Sequence, residues 1–435
     1  MKRVLIITYY WYPAGGITVL RCLKIAKYLR MYGWEPIIFT ADNAHYPTID
    51  ESNLKDISED TVVLKQRIWE PYHIYKLFTG KDKQENVNNV FYVQDDNAQK
   101  WTHRLSVWIR SNFFIPDARC LWISPSVNNL NEWLASNKVD AIFSDGPPHT
   151  NTRIATLIKK KWNIPWLADF QDPWSQVDYF QLLKLTKWGR AKHLRMEQDV
   201  FKYADAISIA SWDWAKQLAT LGAKNITTIP YGYDEDDYLH LTDHKRTDKI
   251  TILHAGIMGY DRNPKTLINC LSTFIKDHPE YCQIIEIVLV GQVDKVVQKE
   301  FESHQLGSNL KLLGNIRRDE VLQLMKNSTI LLLPLNQQDN NLGRIPGKLF
   351  EYLAVRRPIL AIGPVDSDVA KILDETQSGK IIDYDDAVGF NTYLSDLAKK
   401  FNDQTIFVSC DGNIEQYSNR VLTGKIANIL DAIAK

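Results

Sequence analysis

Apolar and polar positions along this chain repeat with two different periods, and the two alternate. RVLIITY is a continuous apolar run, the pattern of a strand buried on both faces of a parallel sheet. A loop with Gly15 and Gly16 follows. TVLRCLKIAKYLRMYG then places Val19, Leu20, Leu23, Ile25, Ala26 and Leu29 at helical spacing, and Gly33 is a natural stop. EPIIFT predicts the second strand. Residues 44–125 are less regular and rich in aromatics. Beyond them the spacing predicts a helix over 126–137, strand DAIFS, a helix over 151–161, strand PWLAD, a helix over 182–202, strand DAISIA, a helix over 213–221 and strand NITTIP.

Tyr231 to Asp248, YGYDEDDYLHLTDHKRTD, is polar and acidic and then basic, and marks a domain boundary. The alternation restarts with strand KITILHAG and a helix from Pro264, and continues through IEIVLVG, LKLLG, RDEVLQLMKNS, TILLLPL, GRIPGKLFEYLA and RPILAIG. EQYSNRVLTGKIANILDAIAK predicts a terminal helix. The expected organisation is an N-terminal Rossmann-like domain over 1–235, a second over 249–412, and a helix within 413–435 packing back on the first. Ligands of such sheets bind at the carboxyl ends of strands, beside helix starts.

Composition narrows the function classes. The chain has 435 residues, 45% hydrophobic and 24% charged, with 52 basic and 52 acidic residues and no net charge. Its length exceeds one ordinary domain. The charge balance disfavours a general nucleic-acid binder, so no nucleic-acid partner is expected. Cys22, Cys120, Cys270, Cys282 and Cys410 are odd in number and scattered, which predicts neither a disulfide framework nor a zinc site and points to a reducing compartment. MKRVLIITYYWYP is too short an apolar run for a signal peptide, and no stretch approaches the ~18 apolar residues of a membrane span. A cytoplasmic protein is expected, with peripheral contact at the inner face of a membrane.

The most informative stretch is Gly343 to Ala354, GRIPGKLFEYLA. Pro346 suits the first position of a helix, and Lys348 then falls in the first turn, where the helix dipole disfavours a cation. Glu351 follows three residues later, in the weaker order for a helical ion pair. Either the two form an indifferent surface pair, or an anion at the helix start holds the lysine. The stretch misses the phosphate-binding P-loop pattern, having three residues between its glycines and Leu349 after the lysine. There is no GxGxxG, so a dehydrogenase loses its main support. Free backbone N–H groups, two glycines, Arg344 and Lys348 are still the ingredients of an anion site.

GRIPGKLFEYLA resembles the signature of family 4 (retaining) glycosyltransferases of bacterial polysaccharide biosynthesis, which have the GT-B architecture. The resemblance implies an α/β chain of two Rossmann-like domains facing a central cleft. It implies an enzyme that moves a sugar from a nucleotide-diphosphate-sugar donor to a glycan or lipid-linked acceptor with retention. No cofactor and no catalytic metal are expected. In the family a Glu-x7-Glu pair frames this loop and helix, and the second Glu, here Glu351, grips the ribose. The first is replaced by Gly343, which leaves the sugar's mode of binding open.

Other stretches extend the resemblance. YYWYPAGGITVLRCLKIAKYL is similar to the N-terminal glycine loop, which implies donor contact at Gly15 and Gly16. SDGPPHTNTRIA implies that Asp145, His149 and Thr150 face the cleft, with His149 bonding the donor or orienting the acceptor hydroxyl. IPWLADFQDPW resembles a DFRDPW stretch with Gln171 in place of Arg. Its Asp169 and Asp172 end a strand, and Asp145 and Asp172 are the acceptor-binding candidates. HAGIMGYDRNPKTL implies cations for the donor diphosphate. The usual arginine position is Ile257, so Arg262 and then Lys265 are the candidates. LLGNIRRDEVLQL implies base contacts through the backbone of Gly314, Asn315 and Ile316. The catalytic set is therefore His149, Arg262, Lys348 and Glu351, with Gly343 and Arg344 also on the donor.

Asp234–Asp236 and Asp383–Asp385 match DxD and read as solvated acidic loops. KWTHRLSVWIRS (100–111) and LLKLTKWGRAKHLR (182–195) interleave bases with tryptophan and leucine. They suit an anionic membrane surface where lipid-linked acceptors lie, or are solvated helix faces. Two other classes remain open. A nucleotide-sugar epimerase or inverting transferase would differ in product, and a catalytically silent relative would bind donor without transfer.

Overall fold

The computed structural model describes the chain except residues 71–100, 178–179, 181–182, 244–247, 339 and 407–411, and the side chains of 101–104 and 106. It forms two compact units, Met1–Tyr231 with Asn419–Lys435, and Gly232–Ser418.

The strands of the first unit are β1 (Lys2–Ile7), β2 (Trp34–Ala41), β3 (Val62–Gln66), β4 (Ala141–Gly146), β5 (Trp166–Phe170), β6 (Ala206–Ile209) and β7 (Ile226–Thr228). They form one parallel sheet ordered β3-β2-β1-β4-β5-β6-β7. Its described helices are α1 (Ile17–Leu29), α2 (Trp101–Phe113), α3 (Ile123–Leu134), α4 (His149–Trp162), α5 (Lys187–Tyr203) and α6 (Trp212–Thr220). β1 buries Val4 to Ile7 completely because helices cover both faces of the sheet. Gly33 ends the turn after α1 at φ 81°. β3 falls in the stretch whose pattern predicts no element. Among the described residues it is the last strand in the order, and its residues are partly buried or exposed.

The second unit holds β8 (Ile250–Ala255), β9 (Ile285–Val290), β10 (Leu310–Gly314), β11 (Ile330–Pro334), β12 (Ile359–Ile362) and β13 (Gly379–Ile382). They are all parallel in the order β10-β9-β8-β11-β12-β13. Around them lie α7 (Lys265–Asp277), α8 (Lys295–Ser303), α9 (Arg318–Asn327), α10 (Lys348–Val355), α11 (Asp368–Thr376) and α12 (Ala387–Asn402). The terminal helix α13 (Asn419–Ile433) belongs to the first unit. It buries Leu422, Ile426, Ala427 and Leu430 with Val19, Leu23 and Ala26 of α1.

The division runs after Tyr231 and before Asn419, whereas the sequence places boundaries at 235–249 and 412–413. Backbone pairing decides this. Tyr233 N–H donates to Tyr417 O at 3.2 Å, and Tyr417 packs its ring against Phe350. Residues 232–238 and 413–418 therefore belong to the second unit. Asp234, expected to be solvated, is buried and caps a short turn by accepting Asp236 N–H.

The core of the first unit contains a buried ion pair that ties α1 to the sheet. Arg21 on α1 donates to both oxygens of Asp169 on β5 at 2.7 Å, and to the carbonyls of Ile229 and Pro230. Ser208 on β6 also donates to Asp169, at 2.6 Å. Removing one partner of such a pair strands a buried charge. Arg21→Met is expected to lower the unfolding free energy of this unit by about 3–5 kcal/mol, and Arg21→Met/Asp169→Asn by less, in urea titrations followed by tryptophan fluorescence.

Candidate functional site

Both sheets change winding direction next to their first strand. β1 lies between β2 and β4, and β8 between β9 and β11, so successive connections leave in opposite directions. The carboxyl end of such a strand opens a crevice that neither connection covers. At that end of β8 lie Gly256, Arg262 and Lys348.

In the second unit β8 ends at Ala255, and Gly256 follows at φ 115°. Gly256 N–H donates to Val290 O at 2.7 Å. A Cβ on Gly256 would lie 2.7 Å from Lys348 Nζ, so the ammonium sits directly over the glycine backbone. On the neighbouring strand Gly291 (φ 106°) abuts Gly256 so closely that its Cβ would meet the Gly256 carbonyl oxygen at 2.7 Å. Only residues without a side chain leave this strand end bare.

Lys348 is placed by its own helix. α10 starts at Lys348 and not at Pro346. Gly347 is the N-cap, and the bonds Leu349 N–H to Pro346 O and Phe350 N–H to Gly347 O form a tighter entry turn. One helical turn after Lys348, Tyr352 anchors α10 to the sheet. Its hydroxyl accepts Ala255 N–H at 2.9 Å and donates to Leu332 O at 3.4 Å. Tyr352 is a support of the Lys348 helix that the sequence reading missed. Its position in EYLA, four residues after the lysine, was the available signal.

Lys348 Nζ lies 3.4 Å from Nε2 of His254, which is fully buried. His254 Nδ1 donates to Leu332 O at 2.9 Å, so Nε2 holds the lone pair that faces the ammonium. Burial first, and then the Lys348 charge, hold His254 well below its ordinary pKa. Lys348 is half-buried and, among the described residues, has no carboxylate within ion-pair distance. Burial, and then repulsion from Arg262, lower its pKa to about 7, while Glu351 opposes the change.

Arg262 reaches the same strand end. It lies in the turn Tyr260–Arg262, and its NH1 donates to Ile257 O at 3.3 Å. Its Nε donates to Asn336 Oδ1 at 3.0 Å, and Asn336 in turn donates to Asp261. The guanidinium thus folds back to Ile257, the position where the resemblance expects an arginine.

Glu351 does not form the helical pair with Lys348 that the sequence offered as one alternative. Its Oε1 accepts from Arg318 NH1 of α9 at 2.8 Å. Arg344 donates to Gln338 at 3.0 Å, and Gly343 is buried in the same loop. Lys265 is exposed at the first position of α7. Gly314 ends β10 and accepts Gly291 N–H at 2.7 Å. Asn315 is exposed and Ile316 partly buried.

In the first unit Gly15 N–H donates to Thr48 O at 2.9 Å, and Gly16 (φ 92°) is the N-cap of α1. Asp145 on β4 is fully buried. Thr8, Asn151 and Gln171 donate to its oxygens at 3.2, 2.8 and 3.3 Å. Burial, with Asp169 in register on the next strand, pushes its pKa up to about 7. Arg21 serves Asp169, and neutral Gln171 offers Asp145 no offsetting charge. These bonds make Asp145 part of the buried sheet network. Thr150 is likewise taken up by Asp117, which accepts from its N–H and hydroxyl at 2.8 Å. Asp172 lies two residues beyond β5 and is partly buried.

His149 is the first residue of α4. Its ring stacks on Trp174 with centroids 4.2 Å apart and planes 3° from parallel. Trp174 Nε1–H donates to His193 Nδ1 at 3.1 Å. His149 Nδ1 is buried without a hydrogen-bond partner, and burial lowers the ring's pKa to about 3. It is a neutral imidazole with an unused polar atom, a condition native interiors rarely tolerate.

No group of three or more His, Cys, Asp or Glu able to hold a metal occurs among the described residues, and no described helix is long and apolar enough to cross a membrane.

With its pKa lowered to about 7, Lys348 is expected to act as a nucleophile at neutral pH. Its acylation, followed by peptide mass spectrometry, is expected to be half-maximal near pH 7, against ~10.4 for an ordinary lysine. Arg262→Gln is expected to move that midpoint upward, because it removes a repelling charge.

No protein-family model and no curated protein matches this sequence. Solved structures match along nearly its whole length. Anabaena Alr3699/HepE, in complex with UDP and glucose, shares 15% identity at a TM-score of 0.60, over 99% of this chain and 100% of that one. Sucrose-phosphate synthase (tll1590) from Thermosynechococcus elongatus shares 13% at 0.57, over 100% and 95%. A glycosyltransferase from Rickettsia africae ESF-5 shares 15% at 0.57, over 100% and 99%. Identities this low establish architecture, and the architecture is GT-B, two Rossmann-like domains on parallel sheets of seven and six strands.

Proposed function

We propose that this protein is a glycosyltransferase that takes a sugar from a nucleotide-diphosphate-sugar donor and passes it to a glycan or lipid-linked acceptor, with retention, as in family 4. The observation that carries the reading is Lys348. A half-buried ammonium with no carboxylate within ion-pair distance among the described residues, beside a second cation and over bare glycine backbone, is costly unless an anion joins it. A diphosphate is an anion that two such cations suit. When the sugar–phosphate bond breaks, negative charge grows on the departing diphosphate. Lys348 and Arg262 stabilise that charge from fixed positions. Arg262 supplies a planar fork held by Asn336 and Ile257. Glu351 is assigned to the ribose, with Gly343, Arg344, Lys265 and the backbone of Gly314 to Ile316 completing the donor side. His149, Asp172, Gly15 and Gly16 are the proposed ligand-facing groups of the first unit. The UDP and glucose bound to Anabaena HepE are consistent with this reading.

The acceptor side is proposed to touch an anionic membrane surface. Asn112 on α2 bonds the backbone of Lys184 and Thr186, joining α2 to the start of α5. Together they expose Trp108, Ile109, Phe113, Trp188 and Leu194 among Arg110, Lys187, Arg190, Lys192 and Arg195. Residue 100 and the side chains of 101–104 in the first basic stretch, and residue 182 in the second, lie outside the described residues. Vesicles with phosphatidylserine are expected to sediment the protein while phosphatidylcholine vesicles do not, and Trp188→Ser/Phe113→Ser is expected to reduce binding about tenfold.

Calorimetry with UDP, GDP, ADP, TDP and CMP is expected to find one nucleoside diphosphate that binds. Lys348→Ala and Glu351→Ala are each expected to weaken it about tenfold or more. Binding an anion raises the Lys348 pKa from about 7, so at pH 8 the wild type takes up close to one proton on binding. Affinity therefore falls as pH rises from 7 to 9. Heats compared in buffers of different ionisation enthalpy measure the uptake, which Lys348→Ala is expected to abolish. No nucleotide binding by folded wild type would overturn the reading.

A further inference from the structure

We propose that Arg318 is a positioning residue. It holds one oxygen of Glu351 so that the other is presented to the hydroxyls of a ribose. The assignment rests on the nucleotide reading above and names a residue that neither the sequence reading nor the resemblance singled out.

Arg318 is the first residue of α9, where the helix dipole disfavours a cation. Acidic groups from two other segments draw it there. Its NH1 donates to Glu351 Oε1 at 2.8 Å, and its NH2 lies 4.0 Å from Asp237 Oδ2. Against partial desolvation, Glu351 and then the Tyr238 phenol hold the guanidinium above its ordinary pKa. Glu351 Oε2 makes no hydrogen bond among the described residues, and the carboxylate is 30% exposed.

Charge separates this cluster from the one at Lys348. Arg318 faces the carboxylates of Glu351 and Asp237, a setting that suits neutral donors such as sugar hydroxyls. Lys348 lies beside Arg262, a setting that suits the diphosphate. The two clusters meet on α10, with Lys348 and Glu351 one turn apart, so one helix presents a cation and a carboxylate to two parts of one ligand.

A glutamate side chain free to rotate loses conformational entropy when it binds. Arg318 removes that cost in advance by fixing the carboxylate before the ligand arrives. The pair is partly exposed, with side-chain exposures of 46% and 30%, so solvent screens it and it adds little to stability. A merely structural role and a positioning role therefore predict different results.

The test measures binding of UDP and GDP, each beside its 2′,3′-dideoxy analogue, to wild type, Arg318→Met, Arg318→Lys, Glu351→Gln and the double variant Arg318→Met/Glu351→Gln. Thermal unfolding checks that each variant folds. Arg318→Met is expected to weaken the ribose-bearing diphosphate about tenfold, the dideoxy analogue less than about twofold, and to leave unfolding unchanged. Arg318→Lys is expected to recover part of the loss. In the Glu351→Gln background, Arg318→Met is expected to add less than about a twofold loss, because the two act as one unit. Equal weakening of both analogues, no weakening at all, or additive losses in the double variant would overturn the assignment while leaving the nucleotide reading intact. If neither diphosphate binds wild type, the nucleotide reading fails and takes this assignment with it.

Discussion

The reversal of strand order beside β1 and β8 is the constraint on which the rest of this molecule depends. A parallel strand sends its chain out at the carboxyl end, and each connection must cross one face of the sheet. Where successive connections cross opposite faces, nothing covers the strand end between them. Bare backbone and helix starts collect there, which explains why residues far apart in sequence meet. Gly256, Arg262, Asn336 and Lys348 span nearly a hundred positions and gather at the end of one strand pair. Tyr352 holds the arrangement by bonding α10 to both β8 and β11, so the height of Lys348 over Gly256 is set by the sheet and not by the loop.

The two strand ends handle charge in opposite ways. In the first unit two buried aspartates, Asp145 and Asp169, share a network with one arginine. Arg21 goes to Asp169 through two parallel bonds, and Asp145 is left with neutral donors and a raised pKa. That network answers the charges of Arg21 and Asp169 and holds α1 against the sheet, with Asn151 Oδ1 left without a partner. In the second unit the imbalance is cationic and unsatisfied, because Lys348 has repulsion from Arg262 and no ion-pair partner among the described residues. Charges answered within the fold read as structure, and an unanswered one as a place for a ligand. His149 is a neutral case. Its ring is locked against Trp174, yet its Nδ1 has no partner.

The buried strands were legible because a sheet covered on both faces needs continuous apolar runs, and RVLIITY, KITILHAG and TILLLPL are such runs. β3 was not, because a strand that is only half covered needs no such run. The start of α10 was read two residues early, since proline is compatible with the first helical position but does not require it. The domain boundary was read from polarity, and polarity does not register the backbone bond by which Tyr233 joins Tyr417. At the site, Lys348, Glu351 and Arg262 were named from local motifs. Arg318 and Tyr352 were passed over because their roles come from partners 33 and 97 residues away.

What this sequence determined by itself is the kind of fold and the chemistry on offer at each strand end. Period, apolar runs and helix-start residues are local properties, and a short window contains them. The tertiary structure alone decided which charges are answered. It gave Arg21 to Asp169, left Asp145 with neutral donors, turned Glu351 to Arg318, and set Lys348 over Gly256 with no carboxylate within ion-pair distance among the described residues. Charge pairing depends on distance in space and on burial. Both are fixed only when the parallel strands assemble in their order, and no window of sequence contains that order.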